Sequence, residues 1–214
     1  MKKKIISIAL VVAMIAIIAA GSFAYFTDTD KADNTFTVGN VKIELTEPNW
    51  ETQGKIDADT VYAGEALAKD PTVENTGKNP CFVRVKVEGL EQFGEDKMIT
   101  YESGSNYTAN NMNDGWEYYN GYFYWTKPLV VAGTENESWN AGLSSKTAPL
   151  FDRVRMPIGL TGNEENIQPI VVTAQAVQAQ GAMPSWSNAV GDQPAVKDMT
   201  VEQIAAWFTT CGMK

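Results

Sequence analysis

The chain has 214 residues, with 17 Lys plus Arg against 26 Asp plus Glu, two Cys and no His. A chain of this length buries roughly 70% of its unfolded surface and folds as one domain without a metal or disulfide staple. Its acidic balance argues against nucleic acid, whose phosphates need clustered Lys and Arg, and the absence of imidazole excludes a Ser-His-Asp triad and any His-ligated zinc site.

Lys2, Lys3 and Lys4 precede an apolar run over residues 5–20 that only Ser7 interrupts. Ser22 and Ala24 then supply the small residues of a signal-peptidase site, which makes Tyr25 the first mature residue. The run is short of the roughly 20 residues that span a bilayer. A cleaved signal peptide over 1–24 is therefore expected rather than an anchor, and with it an extracellular location. The remaining 190 residues carry 14 basic and 26 acidic side chains, a net charge of −12.

Outside the cell a disulfide persists, and an even cysteine count allows one bridge, Cys81 to Cys211. It would close a loop of 130 residues, worth up to roughly 5 kcal/mol in the chain-entropy model. Cys211, close to the C-terminus, is equally placed to pair with another chain.

Short segments of period-two alternation follow one another, the pattern of half-buried strands. Residues 35–38 and 41–46 flank a turn at Gly39-Asn40, and the second run sets Val41, Ile43 and Leu45 against Lys42, Glu44 and Thr46. Residues 47–60, with Pro48, Gly54 and no apolar period, read as loop. Residues 61–68 read as a strand or an irregular connection, and 70–75 as a short strand ended by the turn cluster at 76–80. Cys81, Val83, Val85 and Val87 line one face of the clearest strand, with Phe82, Arg84 and Lys86 on the other. Residues 103–115 read as loop.

Asn120-Gly121 between two aromatic runs is the strongest hairpin signal in the chain. It pairs Tyr119 with Tyr122, Tyr118 with Phe123, Glu117 with Tyr124 and Trp116 with Trp125. Trp116, Tyr118, Phe123 and Trp125 then share the core face, and Glu117, Tyr119, Tyr122 and Tyr124 the other. Residues 151–156 and 167–180 give the last strands. Thr200 and Gln203 form a capping-box pattern ahead of a short helix over 204–208. About eight strands and one terminal helix predict an all-β sandwich over 39–182, after a segment 25–38 and before an extension 183–214.

Residues 22–32 (SFAYFTDTDKA) and 34–43 (NTFTVGNVKI) carry a cleavage motif and a first strand together. Ala63-Gly64-Glu65, Asp70-Pro71, Asn75-Thr76-Gly77, Asn79-Pro80 and Val83-Arg84-Val85 make a second block, and Pro149 to Asp152 with Ile170 to Ala179 the last strands. These runs resemble the TasA/camelysin family, secreted proteins of Gram-positive bacteria processed by a signal peptidase of the SipW type. Residues 183–214 lie outside the pattern. The resemblance implies a jelly-roll-like β-sandwich that forms biofilm-matrix or cell-surface fibres by donor-strand complementation. Its partners would be further copies of itself, head to tail, with an accessory fibre protein or matrix polysaccharide as further candidates. Such β-augmentation needs an extended segment with apolar anchors. Tyr25, Phe26, Phe36 and Val38 supply them around the acidic stretch 27–34.

Other chemistries fit less well. The camelysin branch carries a metallopeptidase label, yet the chain has no HExxH motif and no His to ligate zinc, so neither a catalytic set nor a metal or cofactor is expected. Asp28, Asp30 and Asp33 lack the Gly and Glu positions of an EF-hand loop. A face of Tyr119, Tyr122 and Tyr124 would suit stacking on a sugar, which makes a carbohydrate-binding module the alternative function.

Overall fold

The computed structural model describes residues 40–58, 61–93, 98–101, 107–109, 112–135, 142–159, 169–179 and 199–213. The expected signal peptide, its expected cleavage residues Ser22, Ala24 and Tyr25, and the expected anchors Tyr25, Phe26, Phe36 and Val38 lie outside the described residues. Among the described residues no helix is long and apolar enough to cross a membrane.

Among the described residues ten strands form antiparallel sheets: β1 (Ile43–Thr46), β2 (Ala66–Ala68), β3 (Thr72–Asn75), β4 (Cys81–Glu88), β5 (Met98–Tyr101), β6 (Tyr107–Ala109), β7 (Trp116–Tyr119), β8 (Tyr122–Trp125), β9 (Arg153–Arg155) and β10 (Val171–Gln178). Their order is β10-β4-β8-β7 in one sheet and β2-β9-β5-β6 in another, with β1 and β3 as a separate pair. The inward side chains meet in one core that includes Val41, Ile43, Leu45, Val73, Val83, Val85, Phe151 and Val154. The expected all-β sandwich with a short C-terminal helix is thus observed. The alternation of β1 holds as read: Val41, Ile43 and Leu45 are buried, and Lys42 and Glu44 are exposed.

The hairpin forms with the expected register, Trp116 to Trp125 through Tyr119 to Tyr122. Its turn has positive φ at both central residues, 47° at Asn120 and 86° at Gly121, the twist that suits a two-residue hairpin. Trp116 and Phe123 join the core and Trp125 packs against it, but Tyr118 is 57% exposed rather than core.

Two loops of the sequence reading carry secondary structure. Tyr107–Ala109, within 103–115, is β6 and pairs with β5. Within 47–60, a π-helical turn, Trp50–Gly54, runs directly into α1, Lys55–Asp57. Trp50, Gly54 and Ala58 are its buried face, a four-residue spacing that a tryptophan, a glycine and an alanine do not announce as an apolar stripe. Its start is held by Asp70, whose carboxylate accepts the backbone N–H of Asn49 at 2.9 Å and of Trp50 at 3.2 Å, satisfying donors that a helix start leaves open.

The C-terminal helix, α2 (Val201–Thr210), starts at a complete capping box between Thr200 and Gln203. It lies on the outer face of the β10-β4-β8-β7 sheet. There Ile204, Ala205 and Phe208 pack with Phe82, Tyr124 and Val177 in a second core.

Candidate functional site

Strand addition requires a sheet edge whose backbone groups point outward, and the register identifies those groups. Cys81 and Leu129 exchange both backbone bonds, and Ala179 donates to the Pro80 carbonyl. Odd residues of β4 therefore bond toward β8, and even residues toward β10. With Phe82 opposite Val177 and Arg84 opposite Gln175, the odd residues of β10 face β4. Val172, Ala174, Ala176 and Gln178 turn their N–H and C=O groups outward.

Only the end of that row has a partner among the described residues: the Trp207 indole N–H donates to the Gln178 carbonyl at 2.8 Å. Val172, Ala174 and Ala176 are each 1% exposed, and β10 has no second strand neighbour among the described residues.

The same accounting holds for β1. Asn75 donates to the Ser145 carbonyl and Thr147 to that of Val73, while Thr76 donates to Lys42. Even residues of β1 thus face β3, and Val41, Ile43 and Leu45 turn outward while only 2%, 3% and 5% exposed. β1 approaches β10. Buried backbone amides are nearly always paired, and these two rows show no main-chain partner among the described residues. The alternation needed to find them was present in the sequence; which strand ends each sheet was not.

The aromatic face of the hairpin has a different fate. Tyr124 is 2% exposed, edge-on to Phe208 of α2 with ring centroids 5.7 Å apart. Tyr119 and Tyr122 pack against the same second core. The expected open platform of Tyr119, Tyr122 and Tyr124 is therefore not formed. The helix that covers it comes from a distant part of the chain, and what remains is a cleft of about 320 Å³ between the hairpin and α2.

Arg84, which strand alternation placed on the face opposite Cys81, Val83 and Val85, lines the cleft. It is 3% exposed and donates from Nε to Gln175 at 2.7 Å and from Nη1 to the Tyr124 hydroxyl at 3.2 Å. Its guanidinium lies 3.8 Å from the Tyr122 ring centroid and 4.6 Å from that of Phe208. Planarity and weak hydration suit Arg to such stacking. These contacts tie α2 to the sheet.

The cysteines do not meet. Cys81 is buried in the core between the sheets, whereas Cys211 packs against the second core on the outer face. Both thiols are free, and the sheet itself separates them. Burial pushes the Cys81 thiol up to about 12 and raises that of Cys211 above its ordinary value.

Residues 1–88 match the family model described as camelysin metallo-endopeptidase. No curated protein and no solved structure matches the chain. The matched stretch ends with the last residue of β4, so it includes β1, the helical segment and Asp70, but not the hairpin, β10 or α2. The likeness to the TasA/camelysin family is thus shown over residues 1–88.

Proposed function

We propose that the protein is an exported structural subunit of a biofilm matrix or cell-surface fibre. The N-terminal segment 25–38 of one copy would add to the sheet of the next. The observation that carries this reading is the pair of outward rows, Val172-Ala174-Ala176 and Val41-Ile43-Leu45. Both are buried and lack main-chain partners among the described residues. A donor strand supplies such partners through its backbone and seats alternate side chains in the core. Phe36 and Val38 have that alternation, with Tyr25 and Phe26 as anchors at the far end. Head-to-tail addition does not close on itself, so it yields filaments. Export by a SipW-type signal peptidase, and association with an accessory fibre protein or matrix polysaccharide, belong to the same reading.

The matched family's description names a metallo-endopeptidase, and the donor set of this chain does not fit a catalytic metal. There is no imidazole in the 214 residues, the two thiols lie on opposite sides of a sheet, and no group of three or more Cys, Asp or Glu side chains among the described residues is placed to hold a metal ion. We therefore assign a non-enzymatic role.

Negative-stain microscopy and sedimentation of residues 25–214 beside 39–214, at matched concentration, test the proposal. Filaments from the longer chain and monomers from the shorter are expected. Monomers from both across a range of pH and salt would contradict it, and zinc-dependent cleavage of casein by either would contradict the non-enzymatic assignment.

A further inference from the structure

β2 also ends its sheet among the described residues, yet its edge is closed. Met156 donates to the Glu65 carbonyl, and Lys69 to that of Asp152. Odd residues on this strand therefore face β9, and Ala66 and Ala68 point outward. The Arg153 guanidinium reaches back to occupy the Ala66 carbonyl, with Nη1 donating at 3.2 Å. The helical segment 50–57 lies over Ala68 so closely that a Cβ on Gly54 would collide with the Ala68 carbonyl oxygen and the Trp50 ring. Only glycine permits that approach.

The segment is pinned there from both ends of its entry. Asp70 binds its first amides, and the Lys69 ammonium bonds the Glu47 carboxylate at 2.8 Å while lying 4.8 Å from the Trp50 ring centroid. Covering an edge with a helix and a charged side chain is a recognised way to stop strands adding there. Among the described residues, neither device lies along the outward rows of β10 and β1, apart from the Trp207 indole at Gln178.

We propose that segment 50–57 and Arg153 form an edge guard. It closes β2 to strand addition, so that this edge of the β2-β9-β5-β6 sheet takes no donor strand or lateral neighbour. This rests on the strand-addition reading above.

The test uses residues 25–214 carrying Phe36→Ser and Val38→Ser, which disable the donor segment, with and without Gly54→Leu. Sedimentation and hydrogen exchange of a peptide spanning 65–69 are read together. The donor-disabled chain is expected to stay monomeric. Adding Gly54→Leu is expected to shift it into pelleted assemblies whose Ala66 and Ala68 amides become protected. A folded Gly54→Leu chain that remains monomeric would overturn the guard.

Where Gly54→Leu fails to fold, Arg153→Met, which frees the Ala66 carbonyl and leaves Gly54 in place, is read by the same two outcomes. If the donor-disabled chain still polymerises, the donor assignment fails. The guard is then judged by whether the added substitution brings new protection to Ala66 and Ala68.

Discussion

The Lys69 ammonium lies 2.8 Å from the Glu47 carboxylate, and the two side chains are only 3% and 2% exposed. The pair joins the chain leaving β1 to the chain leaving β2. Removing one partner leaves a buried charge, so Lys69→Met is expected to cost about 3–5 kcal/mol. The double substitution Glu47→Leu with Lys69→Met removes both charges and is expected to recover most of that loss. Urea unfolding of the two single variants and the double checks this, and equal losses in Lys69→Met and the double would contradict it.

Asp70 titrates high for a carboxylate because burial disfavours its charge, against which the Trp50 and Asn49 amides pull down and nearby Asp152 pushes further up. A folded-state value above the unfolded one means the native state holds the proton more tightly. The stability this group contributes is therefore present in acid and lost as pH rises through its folded value. Asp70→Asn, which keeps an acceptor for the helix start, is expected to flatten that acid-side slope in a series of urea midpoints. An unchanged slope would show that other groups set it.

The C-terminal helix is held by packing first and by its cap second. Phe208 is fully buried against Tyr124 and Arg84, so Phe208→Ala is expected to cost about 3–5 kcal/mol. Thr200→Ala, which breaks the capping box, is expected to cost about 1 kcal/mol. Denaturation followed by tryptophan fluorescence reads both through Trp207, whose indole caps the Gln178 carbonyl.

The two thiols differ in access. Cys81 is 0% exposed with its thiol pushed up to about 12, while Cys211 is partly exposed. Thiolate is the reactive form, so iodoacetamide at pH 8 is expected to label Cys211 alone in the native protein and both residues in urea. Resistance of both thiols, relieved by reductant, would instead indicate a bridge.

Local rules were legible where the residues themselves impose them. Asn120-Gly121 favours a turn with positive φ at both positions, and with it every pair of the hairpin follows; Thr200 and Gln203 announced α2 in the same way. Long-range cover was not legible. Alternation assigned Tyr124 and Arg84 to an outer face correctly, but nothing local says that a helix starting at Val201 returns to bury that face. The bridge between Cys81 and Cys211 failed for the same reason, since the two residues lie on opposite sides of a sheet whose cover comes from far along the chain. Segment 50–57 escaped because its inner face is Trp50, Gly54 and Ala58, where closeness of approach rather than apolar bulk is the signal.

Hydrogen exchange at the outward amides of β10 tests strand addition most directly. Residues 25–214 are compared as dilute monomer and as sedimented filament, with peptides that resolve Val172, Ala174 and Ala176. These three amides are expected to gain strong protection in the filament relative to the monomer, a gain lost when Phe36 and Val38 are replaced by Ser. Full protection already present in the monomer and unchanged on assembly would contradict it, because the edge would then be filled without a second copy.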